Sequence, residues 1–203
     1  MAKQSINIGS AANDGTGSTL RAAFDICNDN FTELYDGSGG LLHKIEGTNF
    51  TGSLLVGHST TGTISSAQYN TGIGIAALDA LTSGDQNVAI GYAAGGLLQD
   101  GSNNIVIGFG AGDALTSGGN NVAIGTQALS TEDTHGRNVA IGYQTLFALN
   151  AGADAYNVAV GYQAGTVIST GVRNVIMGGL AADALTSGGY NVAIGYSALG
   201  TED

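Results

Sequence analysis

In the string NVAIGY, which stands at residues 87–92, 138–143 and 191–196, bulky and small apolar residues alternate and the alternation closes on a glycine. A period of two belongs to a β-strand, whose successive side chains point to opposite faces, so Val88 and Ile90 share one face and Ala89 takes the other. The bulky pair recurs as Ile105 and Ile107, Val122 and Ile124, Val139 and Ile141, Val158 and Val160, Val175 and Met177, and Val192 and Ile194. Stacked on one another, these residues are expected to form a continuous apolar ladder, the core of the molecule. The small face carries Ala89, Ala123, Ala140, Ala159 and Ala193, and Val106 and Ile176 break its rule. A small face permits close approach of another layer or another chain.

The closing glycines, Gly74, Gly91, Gly108, Gly125, Gly142, Gly161, Gly178 and Gly195, are spaced by 17 residues, with a single interval of 19 between Gly142 and Gly161. Four residues before each stands an asparagine: Asn70, Asn87, Asn104, Asn121, Asn138, Asn157, Asn174 and Asn191. Residues 113–133 and 183–203 are near copies offset by 70, which points to duplication of a four-copy block. After the glycine comes a segment such as AALDAL at 76–81. Its Leu78 and Leu81, like Leu146 and Leu149, fit a single helical or 3₁₀ turn that drops two side chains inward. TSG or TSGG, at 82–84, 116–119 and 186–189, then turns the chain. A 17-residue unit cannot bury its own apolar face, but eight stacked units can. The spacing therefore predicts a mostly β protein whose residues 70–203 form a parallel β-solenoid or β-roll of eight coils, roughly 40 Å long at ~4.8 Å per strand. The asparagines are expected to bond backbone groups at the corner or to form a ladder between coils.

Residues 1–44 differ in kind. The stretch STLRAAFDICNDNFTELY predicts a helix over about 18–35, with Ser18 as N-cap. Leu20, Phe24, Cys27, Phe31 and Leu34 follow a 4-3-4-3 spacing, the rhythm of a short coiled-coil seam or of an amphipathic helix that docks onto something else. Cys27 on that seam reads as a small buried apolar residue. DGSGG at 36–40 breaks the helix as a hinge. Residues 45–69, rich in Thr, Ser and Gly, are expected to be a β-rich connector into the first coil.

Composition narrows the function. The chain has 35 Gly and no Pro, and 5 Lys and Arg against 16 Asp and Glu leave a net charge of −11. Nucleic acids and anionic membranes need clustered cations, so neither is an expected partner. One cysteine excludes an intrachain disulfide and a cysteine-based zinc site. The start MAKQSINIGS has no apolar signal region, and no run approaches the length of a membrane span. His43, His58 and His135 show no metal-ligand spacing, and no metal or cofactor is expected. A carboxylate pair for glycoside cleavage would draw on Asp79, Asp113, Asp183, Glu132 and Asp133. The first three share one repeat position before ALTSG, where capping a turn explains them without chemistry. The glycines of GFGAGDAL at 108–115 mimic a dinucleotide loop but lie inside a repeat instead of a βαβ unit. An ice-binding solenoid would need a flat row of threonines, and most coils lack a Thr pair.

Two stretches carry family resemblances. Residues 5–35, with NDGTG at 13–17 and NDNFTELY at 28–35, closely resemble the N-terminal segment of tail-fibre and other virion structural proteins of tailed bacteriophages, especially cyanophages. The NVAIG copies resemble the head repeats of trimeric autotransporter adhesins, which form left-handed parallel β-rolls in trimers. The resemblances imply a homotrimeric, non-enzymatic phage tail fibre located in the virion. Its residues 1–44 would attach to a tail or baseplate protein, and its solenoid would project towards a host cell-surface receptor reached through a C-terminal tip beyond the last coil. Trimerisation through the Ala faces and the helix seam agrees with this, because both are better used against copies of themselves than against water. The alternatives are a bacterial adhesin of trimeric autotransporter type, which would need a secretion signal and a membrane barrel, and a tailspike depolymerase.

Overall fold

The computed structural model describes residues 43–47, 50–56 and 66–200. The chain divides into two compact units, residues 1–44 and 45–203. The helix expected over 18–35, its seam residues and the hinge at 36–40 lie outside the described residues.

The second unit is a parallel β-solenoid of about eight 17-residue turns. Two strands, β1 (His43–Gly47) and β2 (Phe50–Val56), precede eight three-residue strands: β3 (Thr71–Ile73), β4 (Val88–Ile90), β5 (Ile105–Ile107), β6 (Val122–Ile124), β7 (Val139–Ile141), β8 (Val158–Val160), β9 (Val175–Met177) and β10 (Val192–Ile194). They lie in one sheet in chain order. From β2 onward each strand pairs in parallel with the next, and the register sets Val88 beside Ile105, Ala89 beside Val106 and Ile90 beside Ile107. β2 lies within the β-rich connector expected over 45–69 and joins the repeat's own sheet. Leu54 pairs with Thr71 and Val56 with Ile73, so the repeat begins one coil earlier than the closing glycines indicate. Ser53 there takes the asparagine's place, its Oγ accepting the Asn70 N–H at 2.8 Å.

The sides of the sheet are the reverse of the expected ones. Ala89, Val106, Ala123, Ala140, Ala159 and Ile176 are fully buried, and Ile73, Ile90, Ile105, Ile141, Val158, Val175 and Met177 are exposed. The bulky ladder therefore lies outside each chain's core, and the alanines cannot meet another chain because they face the interior of their own. The reason is volume. The return segment sends Leu81, Leu98, Leu115, Leu149 and Ile168 inward as one column and Leu78, Leu129 and Leu146 as another, all buried. A coil so filled leaves room opposite for a methyl group only.

The exceptions fit the same account. Where the strand's central residue grows to Val106, the return segments beside it carry Gly95 and Gly112, and beside Ile176 stands Gly165. A Cβ on Gly112 would lie 2.8 Å from both Val106 Cγ1 and Leu115 Cδ1, and one on Gly165 would lie 3.0 Å from Ile176 Cδ1, Ile168 Cδ1 and Leu146 Cδ2. Since Leu129 holds the matching position with nearly the same φ, 53° against 52°, the glycine at 112 answers to space more than to backbone. Gly112→Ala is expected to cost about 1–3 kcal/mol through overpacking. In a double-mutant cycle Val106→Ala should recover part of that cost, the Leu115 contact remaining, and additive effects of the two changes would contradict the exchange of volume.

The helical turn expected after each glycine is absent from the described coils. Residues such as Ala76 and Leu78 take left-handed conformations, φ 58° and 55°, alternating with ordinary ones, and Ala77 N–H bonds Gly74 C=O in a tight turn. Alternation of this kind folds the backbone into a compact corner while still turning Leu78 and Leu81 inward. L-residues in that region each cost about 1–2 kcal/mol. Coil-to-coil bonds hold them there, among them Leu78 N–H to Ala94 C=O at 3.1 Å and Ala93 N–H to Ile75 C=O at 2.9 Å.

Candidate functional site

The asparagines are buried corner braces, and both expected roles are met at once. Asn104 Nδ2 donates to Gly118 C=O across the corner at 2.9 Å and to Asn87 Oδ1 in the preceding coil at 3.1 Å. Its Oδ1 accepts the Asn121 N–H at 3.0 Å, and the Asn104 N–H in turn reaches Asn87 Oδ1 at 2.9 Å. The same pattern links Asn70 to Asn87 and Asn157 to Asn174 to Asn191. The backbone bond continues through Asn138 and across the 19-residue coil to Asn157. From Asn70 to Asn174 these side chains are buried and bonded within the chain, and only Asn191, on the last strand, is half-buried.

What the coils present outward is an apolar strip. The valine and isoleucine columns, seen at Ile73, Ile90, Ile105, Ile141, Val158, Val175 and Met177, run along the sheet, and Val192 and Ile194 on β10 are the most open, at 70% and 65% exposure. Two further columns bracket each strand. Ahead of it, at the left-handed residue before the asparagine, stand Tyr69, Gln86, Asn103, Asn120, Arg137, Tyr156, Arg173 and Tyr190. Behind it, just after the closing glycine, stand Ile75, Tyr92, Phe109, Thr126, Tyr143, Tyr162, Gly179 and Tyr196.

Both columns are ordered by stacking. Tyr92 lies on Phe109 with centroids 5.3 Å apart, and Tyr143 on Tyr162 at 5.4 Å. In the leading column the Arg137 and Arg173 guanidiniums sit 5.4 and 5.7 Å from the Tyr156 ring, and Arg173 lies 5.3 Å from Tyr190 while donating to its hydroxyl at 2.8 Å. Arg137 Nε also donates to Asp154 Oδ2 at 2.6 Å, a bond that holds the Asp154 carboxyl below the usual range. The strip and its two bracketing columns were missed as a surface in the sequence, although all were visible as positions of the repeat.

Of the carboxylates considered for chemistry, Asp113 and Asp183 each bury one oxygen without a hydrogen-bond partner, and burial raises the Asp113 carboxyl. Glu132, Asp133 and His135 approach one another, with potential ligand atoms within 4.8 Å. Glu132 stands 17 residues after Leu115 and 17 before Leu149, so it occupies the buried leucine column. Its carboxylate accepts the His135 N–H at 3.2 Å and the Ala151 N–H at 3.3 Å, tying down the two-residue insertion of the 19-residue coil. That commitment makes it a structural plug.

Burial pushes the Glu132 carboxyl up, and the two N–H donors offset part of the shift. A carboxyl raised in the folded state favours folding most below its unfolded pKa, and that contribution is lost as pH rises through the folded value. Glu132→Leu, which restores the column, is therefore expected to gain thermal stability relative to the parent as pH goes from 4 to 7. A midpoint difference that stays constant over the titration would contradict this.

Among the described residues no helix is long and apolar enough to cross a membrane. These features define the class: a parallel β-solenoid repeat protein with an asparagine-braced interior and an apolar outer strip. No protein family model, curated protein or solved structure matches the chain.

Proposed function

We propose that the protein is a non-enzymatic, homotrimeric fibre segment whose solenoids join along their exposed valine and isoleucine columns. The observation that supports this is the strip itself. A pair of apolar columns, uninterrupted over the seven strands from β4 to β10 and in strict register, is costly to leave in water and ideal for burial against an identical pair. The corrected sidedness moves the contact from the Ala faces to the bulky ladder. Sequence resemblance at residues 5–35 adds the setting: a structural protein of a phage virion, attached by residues 1–44 to the tail or baseplate and projecting its solenoid towards a host surface. A net charge of −11 per chain keeps such rods from clumping. Light scattering on the purified chain is the test. The reading expects a mass near three times 20.1 kDa. A monomer at micromolar concentration would overturn it.

A further inference from the structure

We propose that the two columns bracketing the strip are complementary halves of one interface, so that each copy's Arg–Tyr column meets the aromatic column of the next copy at the same coil. This rests on the trimeric reading and adds direction and register to it. When copies are arranged about an axis parallel to the stack, the leading edge of one strip faces the trailing edge of its neighbour. In an antiparallel pair, like edges would meet.

The two edges differ in the way such a contact requires. At β7 the leading edge offers Arg137 and the trailing edge Tyr143; at β8, Tyr156 and Tyr162; at β10, Tyr190 and Tyr196. At β4 and β5 the side-chain amides of Gln86 and Asn103 stand level with Tyr92 and Phe109. Guanidinium and amide groups against ring faces and edges make favourable contacts, whereas leading edges aligned antiparallel about β8 would bring Arg137 against Arg173. At β9 Arg173 stands level with Gly179, the one trailing position without a side chain, where the Tyr196 ring of the following coil packs over the glycine and offers the guanidinium an aromatic partner. The leading edge is also preorganised. Arg137, Tyr156, Arg173 and Tyr190 already stack on one another within the chain, so little side-chain freedom is left to lose on contact.

Cysteine pairing distinguishes the arrangements. In a Cys27→Ser background, Asn120→Cys and Thr126→Cys place one thiol on each edge of the β6 coil, at positions that are exposed and half-buried. Oxidation, or a short bismaleimide, followed by denaturing electrophoresis should give a covalent species of three chains from the double variant. Each single variant should give none. Gln86→Cys with Tyr92→Cys repeats the test at β4 should the first pair disturb folding. A covalent dimer from Asn120→Cys alone would show like edges meeting and overturn the proposal. Failure of both double variants to cross-link while light scattering still gives three chains would overturn the edge pairing and leave the trimer standing. A monomeric mass would remove the reading on which it rests.

Discussion

Gly108→Ala should cost the solenoid about 4 kcal/mol or more in chemical denaturation, or leave no cooperative transition at all. Gly108 has φ +135°, a region that L-residues almost never enter. A Cβ built there would lie 2.6 Å from both the carbon and the oxygen of the Gly125 carbonyl. The obstacle is backbone of the adjoining coil, itself held by Gly125 N–H to Ile107 C=O at 2.7 Å, so no side chain can swing aside. Gly152→Ala is the control for a glycine with room around it. It too has positive φ, +66°, but nothing lies within 4 Å of the added carbon, and its cost should stay near 1 kcal/mol. Equal losses at the two sites would show that neither the unusual φ of Gly108 nor the adjoining carbonyl adds to the cost of an ordinary left-handed glycine.

Asn104→Ala should be nearly as damaging, by about 3 kcal/mol, because one deletion leaves two groups stranded in a corner closed to water. Gly118 C=O loses its Nδ2 donor and the Asn121 N–H loses its Oδ1 acceptor. Asn104→Asp should be worse at neutral pH. It sets an anionic oxygen where Nδ2 stood, facing the oxygens of Gly118 and Asn87, and burial with those neighbours would raise the new carboxyl's pKa. By linkage its stability should recover as pH falls through that raised value, whereas the alanine variant should show no such recovery. Thermal midpoints of both variants between pH 4 and 7 check the sign, and an aspartate variant that weakens on acidification relative to the alanine one would refute the ladder's role.

Much of this architecture was legible because a repeat writes its constraints many times. The 17-residue interval, the period-2 strands, the inward leucine pairs and the bracing asparagines each followed from one physical rule applied in register. Sidedness did not follow. Alternation tells which residues share a face but not which face is inside, and assigning the bulky residues to the core neglected the volume already claimed by Leu81 and its column. The sequence held the correcting signal: Val106 and Ile176 occur where Gly95, Gly112 and Gly165 replace larger return-segment residues, as interior partners must and as outward ones need not.

The earliest coil escaped notice because Ser53 stands for asparagine and Leu55 for alanine. Leu55 is buried, and a Cβ on Gly72, the central residue of the next strand, would collide with it, so the same exchange of volume operates there. The left-handed corners were hidden for a different reason. Ala76 and Leu78 carry no local preference for that region, and only bonds between coils impose it.

The central claim is that the outward Val/Ile columns join chains and do not fill them. Ile107→Glu with Ile124→Glu, in the middle of the strip, tests it when solution mass is measured beside that of the parent. The account predicts that the parent sediments as three chains and that the double variant loses the threefold mass, since six carboxylates would have to be buried together at the interface. A variant that keeps the mass of three chains would contradict it.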